Sequence, residues 1–180
     1  MAIDRAKLLD IFERLGAALQ HPTTLCLIGS APAIYYMQAG RYTGDIDVWE
    51  DASEFDLIDL RSACETSGLI FNPDSVVLPE VPYIQLVAPG VVNFPEGFKL
   101  RKIVKSGNLT IVMPPTSLIA ASKLTRAAEK DIEDIVWWLN SRRLVLDEIA
   151  PAVASLPNPM DREFARENIV LVELLAARKK

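Results

Sequence analysis

The chain has 180 residues, half of them hydrophobic, and a formal net charge of −5. This length fits one domain, or one domain with a small appendage, and the apolar share suffices for a sizeable core. No apolar run approaches the length needed to cross a membrane, so no membrane association is expected. The acidic balance argues against an extensive nucleic-acid footprint, though not against a local basic groove.

The opening stretch, MAIDRAKLLDIFERL, carries acidic residues and reads as an amphipathic helix rather than a secretion signal. The spacing predicts a helix over 3–20, with Leu8, Phe12, Leu15 and Leu19 on one stripe, stopped at His21-Pro22. His21 is the single histidine; no chemistry is expected of it, and alone it excludes a His-based zinc cluster. A short strand is expected over 24–28. A helix over 31–40 follows, with Pro32 in its first turn and Gly40 as its stop. The next strand runs over 46–49, with Asp45-Ile46-Asp47 at its start. A helix over 53–67 takes Ser53 as N-cap and Gly68 as C-cap.

Residues 76–78 and 83–87 read as short strands, and 88–98 as loop. Strands over 100–105 and 108–113 are separated by Ser106-Gly107, a hairpin turn. From Pro114 the pattern is helical. Residues 116–128 and 129–141 form one kinked helix or two abutting ones, and a short helix lies near 144–154. A last helix starts at Asn158-Pro159, with Asp161 at capping-box spacing and Phe164, Leu171 and Leu175 on a partly apolar face. Cys26 and Cys64 fall in a strand and a helix and read as reduced, buried small hydrophobes, which suits a cytoplasmic protein. The order gives an α+β (α/β) fold: a short mixed sheet flanked by helices in residues 1–113, then a helical region over 114–180.

The segment LCLIGSAPAIYYMQAGRYTGDIDVWE, residues 25–50, is where chemistry concentrates. Residues i and i+2 of a strand project to the same face, so Asp45 and Asp47 stand side by side. Two carboxylates held this close repel each other unless a cation sits between them. Glycine lets the backbone approach a phosphate closely, and Ser30 can donate a hydrogen bond to one. Magnesium prefers carboxylate and phosphate oxygens. A divalent metal beside a Gly-Ser turn therefore suggests nucleotide chemistry.

The joint pattern is hydrophobic-Gly29-Ser30, about fourteen residues, then Asp45-hydrophobic-Asp47-hydrophobic. It resembles the signature of the nucleotidyltransferase fold, the DNA polymerase β-like superfamily. The resemblance implies that Gly29 and Ser30 lie against nucleotide phosphates and that Asp45 and Asp47 are catalytic ligands of magnesium. It makes 1–113 a nucleotidyltransferase-like domain, with Arg41 and Thr43 bordering the nucleotide pocket. Residues 116–139, TSLIAASKLTRAAEKDIEDIVWWL, are similar to a segment of the bacterial AbiEii-toxin-like branch. The shared pattern is Lys123-Leu124, Arg126, then Asp131 and Asp134. It implies that Lys123 and Arg126 contact the nucleotide triphosphate.

A continuous helix would carry Lys123, Arg126, Lys130 and Asp134 along one face, as a basic strip or as a solvated face with an ordinary Lys130–Asp134 ion pair. Asp131 reads as a brace of the fold. Trp137 and Trp138 face different directions, so at least one is core; Tyr35 and Tyr36 are expected in the core. The implied activity is magnesium-dependent transfer of a nucleotidyl group from an NTP to a tRNA, protein or small-molecule acceptor. A toxin role would add an antitoxin partner.

One residue departs from the family pattern. Gln85, in Tyr83-Ile84-Gln85-Leu86-Val87, stands where active members carry a third carboxylate. An amide has no negative charge and is no general base. Glu80 and Asp74 are the nearby alternatives. The competing reading is thus a catalytically inactive nucleotidyltransferase-like protein that binds a nucleotide or a protein partner.

Overall fold

The computed structural model describes residues 3–73 and 81–177. The strand expected over 76–78, with Asp74 and Glu80, lies outside them. The chain is an α+β protein whose residues group into two compact units. One comprises Met1–Val91 and Leu100–Met113, the other Val92–Lys99 and Pro114–Lys180.

The first unit opens with α1, Arg5–Ala18. Asp4 caps it by accepting a hydrogen bond from the Lys7 N–H, so the helix begins later than residue 3. Ile3 pairs instead with Thr43, its N–H donating to the Thr43 carbonyl at 2.8 Å. The apolar stripe buries Leu8, Phe12 and Leu15 together with Leu25, Leu27, Ile46, Val48, Ile84 and Ile111. Burial of each such side chain contributes about 1.5–3 kcal/mol, which makes this face the main stabilising surface of the unit.

Two small sheets cross that core. In one, β1 (Thr23–Cys26) runs parallel to β6 (Leu109–Met113), which pairs antiparallel with β5 (Arg101–Ser106) across the expected hairpin. In the other, β2 (Asp45–Trp49) and β3 (Ile70–Phe71) both run parallel to the central β4 (Tyr83–Val87). The two residues after β1 join the sheets. The Leu27 N–H donates to Val112 O at 2.8 Å, Leu27 bridges to Val48, and the Ile28 N–H donates to Asp47 O at 3.1 Å. This stitch brings the Gly29-Ser30 turn beside β2.

The turn leads into α2, Ala31–Tyr35, five residues rather than the ten expected over 31–40. Gly40 is not its stop. Met37 adopts φ +70°, and the Gln38 N–H reaches back to Ala33 O at 3.1 Å, which closes the helix early. The helix expected over 53–67 is α3, Leu57–Thr66, capped by Asp56 and not by Ser53. The Ser53 hydroxyl is committed elsewhere: it accepts from the Cys26 N–H at 2.9 Å and donates to Trp49 O at 2.7 Å. Gly68, at φ +70°, follows the helix as expected.

His21 and α3 meet through Asp59. The buried Asp59 carboxylate accepts from the Gln20 and His21 N–H groups at 3.1 and 2.9 Å and lies 3.2 Å from His21 Nδ1. Burial alone would raise its pKa, but these bonds hold it below the usual value. Cys26 and Cys64 are free and buried, and desolvation pushes both thiols up to about 12.

At the β5–β6 hairpin, main chain meets main chain. A Cβ on Gly16 would lie 2.1 Å from Ser106 O, and one on Gly107 would lie 2.3 Å from Gly16 O. The Asn108 N–H donates to Gly16 O at 3.1 Å, and its side-chain amide donates to Leu19 O at 2.9 Å.

The second unit is helical: α4 (Thr116–Arg126), α5 (Glu129–Asn140), a 3-10 turn at Leu146–Glu148, α6 (Ile149–Ser155) and α7 (Pro159–Ala177). Ala127 at φ +47°, its N–H donating to Lys123 O at 2.8 Å, separates α4 from α5. The continuous row from Lys123 to Asp134 is therefore broken between two helices. Asn158 caps α7, its side chain accepting from the Met160 N–H at 3.0 Å. Trp138 is fully buried and Trp137 half-buried.

Candidate functional site

Strand β2 alternates as the sequence reading requires. Ile46 and Val48 are completely buried, while Asp45 and Asp47 are half-buried on the opposite face. In parallel register Asp45 pairs with Tyr83 and Asp47 with Gln85. Paired residues on neighbouring strands share a face, so Asp45, Asp47, Tyr83 and Gln85 form one polar patch over β2 and β4.

Gly29 lies against this patch. Its φ of +65° is a conformation L side chains rarely adopt, and an ideal Cβ would fall 1.9 Å from Asp47 Oδ2 and 2.8 Å from Cγ. The Asp47 carboxylate thus occupies the space that the missing side chain leaves. Ser30 follows directly and opens α2. The structure brings Gly29, Ser30, Asp45 and Asp47 to one place.

Asp45 is held from both ends. Thr43 Oγ1 donates to Oδ1, and Tyr83 OH donates to Oδ2 at 3.5 Å. Burial raises the Tyr83 pKa, and the nearby charges of Asp45 and Asp47 raise it further, so the phenol stays a donor. Arg41 lies in the preceding loop, its guanidinium donating to Tyr42 O at 3.3 Å.

Gln85 is turned toward β3. Its Nε2 donates to Asn72 Oδ1 at 2.8 Å and to Leu86 O at 3.3 Å. Asn72 Oδ1 also accepts from the Leu86 N–H at 3.0 Å, and the Asn72 N–H donates to Ile84 O at 2.7 Å. Asn72 adopts φ +42°, in the left-handed region that Asn tolerates better than most residues. Sequence reading missed both Tyr83 and Asn72. Tyr83 was within reach, since it lies two residues before Gln85 and so on the same face. Asn72 carries no local signal.

Lys123 and Arg126 belong to the second unit. The Lys123 ammonium, 7% exposed, lies 3.1 Å from Asp131 Oδ1 and 2.9 Å from Asp134 Oδ2. Arg126 makes two bonds of 2.8 Å to Asp131. Asp134 pairs with Lys123 where the sequence suggested Lys130. Burial works against the Asp131 charge, yet the Arg126 and Lys123 bonds hold its pKa below the usual carboxylate range. The brace expected of Asp131 is present, and Lys123 and Asp134 are part of it.

For magnesium, the donor set on β2 is suitable: two carboxylates on one face, one of them filling the cradle over Gly29. Among the described residues no three or more His, Cys, Asp or Glu side chains are grouped to hold a metal. The position opposite Asp47 supplies an amide. Two acidic side chains on one strand face beside a Gly-Ser turn are the arrangement expected of a nucleotidyltransferase-type protein. The chain belongs to the family described as "Nucleotidyltransferase of unknown function (DUF6036)", whose match covers residues 6–154. No curated protein and no solved structure gives a significant match to the chain. No helix among the described residues is long and apolar enough to cross a membrane.

Proposed function

We propose that the Asp45–Asp47 face binds a magnesium-complexed nucleoside triphosphate and that the protein transfers a nucleotidyl group to an acceptor hydroxyl. The observation that carries this reading is the Asp47 carboxylate lodged over Gly29, beside Asp45 and the start of α2. Asp45 and Asp47 would hold the cation. Bound there, it would neutralise charge on the triphosphate and polarise the phosphoryl oxygens. Gly29 leaves room for the Asp47 carboxylate beside the main chain, and the Ser30 hydroxyl donates to a phosphate held by the cation. Thr43 and Tyr83 fix the orientation of Asp45. The acceptor oxygen bonds to the α-phosphorus, the α–β bridging bond breaks, and pyrophosphate leaves. Gln85 cannot take the acceptor proton, so this passes to water.

Calorimetry tests the site. Asp47→Ala is expected to abolish magnesium-dependent NTP binding, and binding equal to wild type would refute the assignment. Gln85 favours a second reading, nucleotide binding without transfer. Label passing from an α-labelled NTP to an acceptor would exclude it. Relation to the AbiEii-like toxins is supported by the Lys123, Arg126, Asp131 and Asp134 pattern. On that reading the protein acts in the cytoplasm, arrests growth when expressed without an antitoxin, and loses this effect with Asp47→Ala. Healthy growth with abundant wild-type protein would count against the toxin relation.

A further inference from the structure

A surface cavity of about 340 Å³ lies where the first turn of α1 meets the loop between α2 and β2. That volume is at the lower end for small-molecule sites and suits a guest the size of a mononucleotide. Asp4, Arg5, Met37, Gln38, Arg41 and Tyr42 line it; Asp45 and Asp47 do not. Two arginines against one aspartate leave the lining net positive, and Asp4 is already engaged by the Lys7 N–H.

Arg5 is fixed in place. Its Nε donates to Tyr35 O at 2.9 Å and its Cζ lies 5.7 Å from the centroid of the Tyr35 ring, while Nη1 and Nη2 bond to no described residue. A guanidinium anchored at one edge with its terminal nitrogens uncommitted is suited to paired anionic oxygens. A phosphate monoester offers three such oxygens, enough for both arginines, where a carboxylate offers two. Met37 and Tyr42 remain 68% and 54% exposed on the same lining, and Met37 is held in the left-handed region at φ +70°. A thioether and a phenol ring give a planar group a surface to lie against. Gln38 Oε1 is buried and accepts no hydrogen bond among the described residues; a donor on a guest can meet it once the amide turns toward the cavity.

We propose that this cavity binds a nucleoside monophosphate without metal, its phosphate on Arg5 and Arg41 and its base against Tyr42 and Met37. The site is distinct from the Asp45–Asp47 face and stands whether or not that face holds a cation. It is also next to it in the chain: Tyr42 precedes Thr43, whose hydroxyl donates to Asp45.

The test is calorimetry on the full chain in EDTA, with adenosine 5′-monophosphate as the probe and adenosine and inorganic phosphate as separate arms. Wild type is expected to bind the monophosphate more tightly than either fragment. Arg5→Ala should weaken it about 10–100-fold, and Arg5→Lys, which keeps the charge but not the fork, should recover only part of that loss. Tyr42→Ala should weaken it by about 5–100-fold through lost stacking, and leave phosphate binding unchanged. Asp47→Ala should bind it as wild type does. Melting curves confirm that each variant is folded. No binding in EDTA would overturn the proposal, as would binding that survives both Arg5→Ala and Tyr42→Ala, or phosphate alone binding as tightly as the monophosphate. Binding lost in Asp47→Ala would move the ligand to the β2 face and overturn it too. Each of these results leaves magnesium-dependent NTP binding to be judged by its own experiment.

Discussion

Gly29→Ala separates the geometry of the site from the stability of the fold. The added Cβ would sit 1.9 Å from Asp47 Oδ2 and 2.8 Å from Cγ, where an ordinary carbon–oxygen contact needs roughly 3.4 Å. The carboxylate must therefore swing away by more than an ångström. That movement rotates the end of a half-buried side chain, while Asp47 Cβ, 3.1 Å from the added carbon, must itself give by a few tenths of an ångström. The backbone cost is separate: alanine at φ +65° loses about 1–2 kcal/mol. For a chain of this size that lowers Tm by about 2–8 °C. On the proposed function the cation would lose a properly placed ligand, so magnesium-dependent nucleotide affinity should fall by about 10–100-fold. Thermal melting and calorimetry on the same preparation read the two effects independently. Gly29→Asn, which tolerates the positive φ better, should recover stability but not binding, because its Cβ meets the same carboxylate. A Gly29→Ala protein that binds the magnesium complex at wild-type strength would refute the assigned role of the Gly29–Asp47 contact.

Lys123→Met leaves Asp131 and Asp134, 1% and 0% exposed, short of a cation. Urea unfolding followed by tryptophan fluorescence should show a loss of about 3–5 kcal/mol; unchanged stability with lost nucleotide binding would make Lys123 a phosphate contact instead. Asp131 also sets a pH dependence. Its pKa is lowered in the folded state, so its contribution is fully present above the unfolded value of about 3.9 and disappears as pH falls toward the folded value. Asp131→Asn should therefore flatten the acid limb of the stability curve below about pH 4; an acid limb identical to wild type would remove Asp131 from that account.

The grouping of residues at the candidate site was legible because it is local. Asp45-Ile46-Asp47-Val48 states its own alternation, and Gly29-Ser30 closes an apolar run only two residues beyond β1. What escaped depends on partners distant in sequence. Asn72 matters through residues 85 and 86, and β3 is two residues long, too short to show a period. Ser53 has the chemistry of a helix cap, but the Cys26 N–H and the Trp49 carbonyl claim its hydroxyl. The break between α4 and α5 did not escape: the sequence reads as one kinked helix or two abutting ones over 116–128 and 129–141, and the break falls on Ala127. The two-residue Ser106-Gly107 turn, too, was readable from its own composition.

That turn has a practical consequence. Hairpin tips are the customary place to insert tags or open a chain for permutation, because most project into solvent. Here the bend is pressed against the helix at Gly16, too near for even a methyl group at either glycine. An epitope or reporter threaded through it would pry apart the seam between the first helix and the hairpin.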